Sequence, residues 1–149
     1  MSAAMSPQAT AWLPWALGSA VFASLTAIFA KLGLANVNAD MATLIRTVVI
    51  LLALAGFVHF SGQWVDPLAL PAKTWTFLVG SGLATGASWV CYFRALKLGD
   101  ASKVAPVDKL SVLFVAVFAV VVLGERPALR EWVGILMVGA GVFVLAYRR

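Results

Sequence analysis

Four ionisable residues stand within or beside long apolar runs, where an apolar chain rarely holds charge: Arg46, Arg94, Asp108 and Lys109. A charge at the bilayer centre costs about 2.5–3.5 kcal/mol on insertion scales, and less near helix ends, where long side chains reach the headgroups. Two readings of these four follow. In the first all are interfacial: Pro106 opens a helix, and Asp108 lies near its positive N-terminus, where an acid is favoured. In the second, Asp108 faces a water-filled vestibule and pairs with Arg46 or Arg94, with Tyr92 beside them. Asp108 and Lys109 are consecutive, about 100° apart on a helix, so they are not expected to share a face. One then meets the cavity while the other reaches the headgroups.

Enzyme chemistry finds little to work with. His59 is the only histidine, and HExxH, a P-loop, GxGxxG and a nucleophile with a His partner are all missing from the sequence. The single cysteine, Cys91, excludes an intramolecular disulfide and a CxxC site, and is expected to pack as a small apolar residue. No cofactor and no metal site is expected.

Those charges must be positioned by helices in lipid. Of the 149 residues 62% are hydrophobic and 11% charged, against about 45–50% and 25% in soluble domains. One water-soluble core of this size cannot hide that much apolar surface. The formal charge of +5 does not point to nucleic acid, because the basic residues sit at helix ends rather than in a continuous patch. The expected fold is all-α: an integral membrane bundle of five transmembrane helices, forming one domain over residues 12–149 after a short tail, residues 1–11. The helices are predicted from about Trp12 to Leu34, Met41 to Phe60, Thr74 to Leu98, Ser102 or Ala105 to Leu123, and Leu129 to Tyr147. Each is long enough for a hydrocarbon core of about 30 Å. Asp40 is expected to cap the second helix. Lys31 is expected to snorkel outward from the first, whose small residues Ala16, Ser19, Ala20, Ala23, Ser24 and Ala27 suit close helix contact. Gly82 and Gly86 form a GxxxG pair suited to helix packing, and Gly124 with Pro127 marks a helix end and restart.

An odd number of passes puts the termini on opposite faces. Lys31, Arg46, Arg94, Lys97, Lys103, Lys109, Arg148 and Arg149 fall on the C-terminal face, and Lys73, Arg126 and Arg130 on the other. That bias predicts a cytoplasmic C-terminus.

Arg46 in the second helix, Phe93-Arg94-Ala95-Leu96, Ala105-Pro106 and Leu123-Gly124-Glu125-Arg126 resemble an EamA-type domain of the drug/metabolite transporter superfamily. The likeness runs over nearly the whole chain, and the wording APVDKLS resembles the small five-helix bacterial and archaeal members. It implies a half-transporter: a homodimer, antiparallel as the inverted repeats of ten-helix relatives are, with the solute path at the repeat interface. The small multidrug exporters use a glutamate in the first helix; this first helix has no acid, so proton coupling through such a residue does not carry over. The resemblance and the charges together lead to an inner-membrane secondary transporter of small metabolites. Its path residues are Arg46, Tyr92, Arg94 and Asp108, and its solute is anionic or zwitterionic. A non-transporting assembly or regulatory subunit, and a small dual-topology channel, are the alternatives.

Overall fold

The computed structural model describes residues 11–147; most of the expected N-terminal tail and the Arg148-Arg149 end lie outside the described residues. Among those described, the chain is helical, without strands. Helix α1 spans Leu13–Gly33, with Pro14 in its first turn, where the missing N–H breaks no helical bond. Helix α2 spans Ala39–Phe60. Its cap is Asn38, not Asp40: Asn38 is extended, and its Oδ1 accepts from the N–H groups of Asp40 and Met41 at 2.8 and 3.3 Å. The helix begins earlier than expected, so Asp40 already lies inside it and its carboxylate is free to turn elsewhere.

Helix α3, Ala72–Leu98, is the longest at 27 residues. The fourth pass is not one continuous helix. It divides into α4 (Ala101–Asp108), a joint at Lys109-Leu110, α5 (Ser111–Phe118) and a π-helical turn over Ala119–Leu123. Pro106 lies inside α4 rather than in its first turn, and so cannot donate to the Ser102 carbonyl. Just beyond it the ladder tightens: Lys109 donates to Pro106 O at 2.9 Å and Leu110 to Val107 O at 3.0 Å. The π turn closes when Glu125 N–H reaches back to Ala119 O at 3.1 Å, with Gly124 at φ 70°, a conformation that favours glycine. Helix α6, Leu129–Ala146, starts with Glu131 Oε2 accepting from Ala128 N–H at 2.7 Å.

Four of the five passes, α1, α2, Ala101–Leu123 and α6, have the length and hydropathy of membrane spans. Helix α3 has the length, but Gly80, Ser81, Gly82, Thr85, Gly86 and Ser88 dilute its apolar character. It is nevertheless the central element, packing against α2, α1 and α4, while α6 covers α4 and α5. Leu113 of α5 fits against Gly139 of α6 so closely that a Cβ there would lie 2.9 Å from its Cδ2.

Burial is concentrated where α1 ends, α2 begins and α3 ends. Leu34, Ala39, Phe93 and Leu96 form a buried core, joined by Val104 of α4. Away from it the large side chains face outward, as Leu51, Phe77, Leu83 and Phe143 do. So extensive an apolar exterior would be an association hazard in water; in lipid it is the solvated face.

Candidate functional site

The helix ends around the core are joined by polar side chains. The last four carbonyls of a helix have no partner within it, and its C-terminus favours cations. Lys31, in the last turn of α1, donates to Leu96 O at 2.7 Å and Gly99 O at 2.8 Å, closing α3. Lys97, in the last turn of α3, donates to Leu34 O, the C-cap of α1, and to Val37 O at 2.9 Å and Ala35 O at 3.4 Å in the link to α2. Lys31, expected to snorkel to the interface, finds unpaired carbonyls at the end of α3 within its reach. Arg94 takes Asp40 in a two-pronged pair, Nε to Oδ1 at 2.9 Å and Nη2 to Oδ2 at 2.8 Å, on an exposed rim. Arg94 is thus paired within the chain and is not the partner of Asp108.

Deeper in the bundle a cleft of about 200 Å³ opens among α1, α2, α3 and α4. Arg46, Tyr92, Asp108 and Lys109 line it, with Trp89 and Ser88. Three of the four expected path residues therefore meet, and Arg94 stays apart. Arg46 lies seven residues past Ala39, roughly 10 Å along the axis at 1.5 Å per residue. Ala23, at the middle of α1, marks the cleft's inner wall. The Arg46 guanidinium stands 4.3 Å from the Trp89 ring centre and 5.2 Å from that of Phe93.

Asp108 is not in the first turn of α4; it is the last residue of that helix, three positions ahead of α5. Lys109 shares the cleft with it, and its Nζ donates to Asp108 Oδ2 at 3.1 Å. The expected separation onto two faces assumed a continuous helix. Lys109 instead occupies the joint, at ψ −5°, out of α-helical register.

Two larger grooves adjoin the cleft. One, about 470 Å³, runs between α3, α4 and the end of α6; exposed Cys91 lines it instead of packing in the interior. The other, about 700 Å³, separates the small-residue face of α1 from α4 and α6. Close contact was expected there, yet only Ala27 of that face is buried, because the small side chains leave the space between the helices unfilled. Tyr92 lines both grooves and the cleft. Gly82 and Gly86 meet no neighbour within 4 Å of an added Cβ, so their face is open within the chain.

The part played by Trp89, and the capping role of Lys31 and Lys97, escaped the sequence reading. The spacing of Trp89, Tyr92 and Phe93 was a usable signal, since positions i, i+3 and i+4 present one aromatic face.

Over residues 10–147 the chain matches the EamA-like transporter family. It belongs to that family. An "Uncharacterized transporter in cobO 3'region" of Sinorhizobium sp. is 58% identical over 135 residues, covering 91% of this chain and 96% of that protein. The "Uncharacterized transporter YxxF" of Bacillus subtilis (strain 168) is 28% identical over 136 residues, 91% of this chain but 42% of its own length. No solved structure matches. With its apolar passes, this EamA-like chain is a multi-pass membrane protein of a transporter family.

Proposed function

We propose that this EamA-like protein is a secondary transporter of small metabolites, working by alternating access as a homodimer in a bacterial or archaeal inner membrane. The observation that carries the reading is the polar cleft, where Arg46, Tyr92, Asp108 and Lys109 meet beside the middle of α1. Ionisable groups facing a cavity at membrane depth are costly to hold there and mark a solute path by default. A non-transporting assembly subunit has no use for such an opening and would fill it with side chains.

Pairing of two copies is supported by the Bacillus relative, of which this chain spans less than half, leaving room for a second unit. The uncovered face bearing Gly82 and Gly86 offers a place for it. An antiparallel arrangement would set two clefts about a common axis. Arg46 and Lys109 outnumber Asp108, which favours an anionic or zwitterionic solute over a cationic one.

Flux of a broad metabolite panel into proteoliposomes tests the reading. Saturable flux should appear for some solute and be lost in Asp108→Asn and Arg46→Gln, with the fold and dimer intact. Absence of flux for the whole panel from intact dimers overturns it, and conductance without saturation replaces it with the channel reading. A cytoplasm-dependent reporter fused after Arg149 should be active, given the cluster of cations on that face. A silent reporter there, with a periplasmic one active, reverses the orientation.

A further inference from the structure

Arg46 and Arg94 carry the same fork of donors and use it in opposite ways. Arg94 spends its fork on Asp40. Arg46, part-buried and deeper, has no hydrogen-bond acceptor among the described residues; its guanidinium lies over Trp89 and Phe93 instead. A contact with aromatic rings satisfies none of the N–H groups, and a guanidinium fork left without an acceptor takes a planar carboxylate in two parallel bonds. Arg46 also lines the cleft of about 200 Å³, roughly seven water volumes at about 30 Å³ each.

Charge narrows the occupant further. The lining of the cleft holds Arg46, Lys109 and Asp108, and no other formal charge. Lys109 and Asp108 are already paired at 3.1 Å. One positive charge is left over, in a place where uncompensated charge is costly. A monoanion cancels it; a zwitterion leaves it standing.

We propose that Arg46, held against Trp89 and lacking an acceptor of its own, is the seat for the carboxylate of a small monoanionic solute. Trp89 acts as a positioning residue, holding the fork flat and presented to the cleft. The assignment rests on the transporter reading for its purpose but concerns binding alone, so the two can fail separately.

The test is binding to the full-length protein in lipid nanodiscs, read by saturation-transfer NMR from acetate, its neutral isostere acetamide, zwitterionic glycine and inorganic phosphate. Acetate should bind saturably, glycine more weakly, and acetamide not at all. Arg46→Gln should abolish acetate binding, and Arg46→Lys, which keeps the charge without the fork, should weaken it about tenfold. Trp89→Phe should weaken it about threefold, and Trp89→Leu more, in proteins whose circular dichroism is unchanged. If Arg46→Gln fails to fold, the Lys variant decides. Glycine binding as tightly as acetate does, phosphate binding in place of acetate, or acetate binding that survives Arg46→Gln but vanishes in Lys109→Met each overturns the assignment. So does the absence of binding by any probe. Binding as expected without flux in liposomes leaves the seat standing and removes the transporter. Flux of a neutral or cationic solute that ignores Arg46→Gln does the reverse.

Discussion

At one end of the bundle Lys31, Lys97 and Arg94 cross from helix to helix. At the other, Lys73, Arg126 and Arg130 make no hydrogen bond or ion pair to a neighbouring helix among the described residues, and Leu113 packs on Gly139 between α5 and α6. In water the apolar end would be the stronger, because burial drives association there. Lipid removes that advantage, since acyl chains are as apolar as leucine, and helix contact depends on packing and hydrogen bonds. The polar end is therefore the anchored one, and the end with Gly80, Gly82 and Gly86 is free to meet another surface.

Substitutions can break or sharpen that contrast. The largest effect is expected at Leu96, which has no exposed surface. Leu96→Ala should cost about 2–5 kcal/mol in a reversible unfolding assay in detergent micelles. Leu83→Ala, at an exposed site of the same helix, should change stability little; equal losses would erase the distinction between the two regions. Next come the caps. Lys97→Met leaves the carbonyls of Leu34, Ala35 and Val37 in the α1–α2 link without their donor and should cost about 1–3 kcal/mol, while Lys97→Arg should recover part of it in the same assay.

A smaller effect separates the glycines. Gly139→Ala forces Leu113 aside and should cost about 1 kcal/mol. Gly82→Ala with Gly86→Ala has open space and should leave the protomer as stable as before; its replacement by a Leu pair should instead reduce dimer content in chemical crosslinking. Loss of protomer stability in the Ala pair would place that face inside the fold. The smallest effect belongs to Arg94 and Asp40, an exposed pair. A double-mutant cycle with Arg94→Gln and Asp40→Asn should return only a small coupling, reduced further by salt. Arg94→Gln with Asp108→Asn should be additive, because the two do not touch.

The passes were legible in the sequence because a membrane helix advertises itself through an unbroken apolar run and its flanking residues. Arg46, Tyr92 and Asp108 were legible as a group because charge at depth is costly, so few residues compete for the role. The Arg94–Asp40 pair was not, because its partners are 54 positions apart and the periodicity of neither helix records the other. Asp40 also looked like a cap, and the nearby Asn38 performs that task with a shorter reach. The break after Asp108 was not visible: Pro106 read as the opening of a helix, whereas it lies inside α4 and the joint falls beyond it at Lys109-Leu110.

The reciprocal caps also set an order of construction. Lys31 closes a carbonyl 65 positions ahead of it, and Lys97 closes one 63 positions behind. While the chain is being made, α1 and α2 can both enter the membrane before either bond has its second partner. Water and headgroups must serve the end of α1 during that interval, and only the emergence of Lys97 from the ribosome lets protein replace them. The first three helices thus mature together, at a moment fixed by the synthesis of the third.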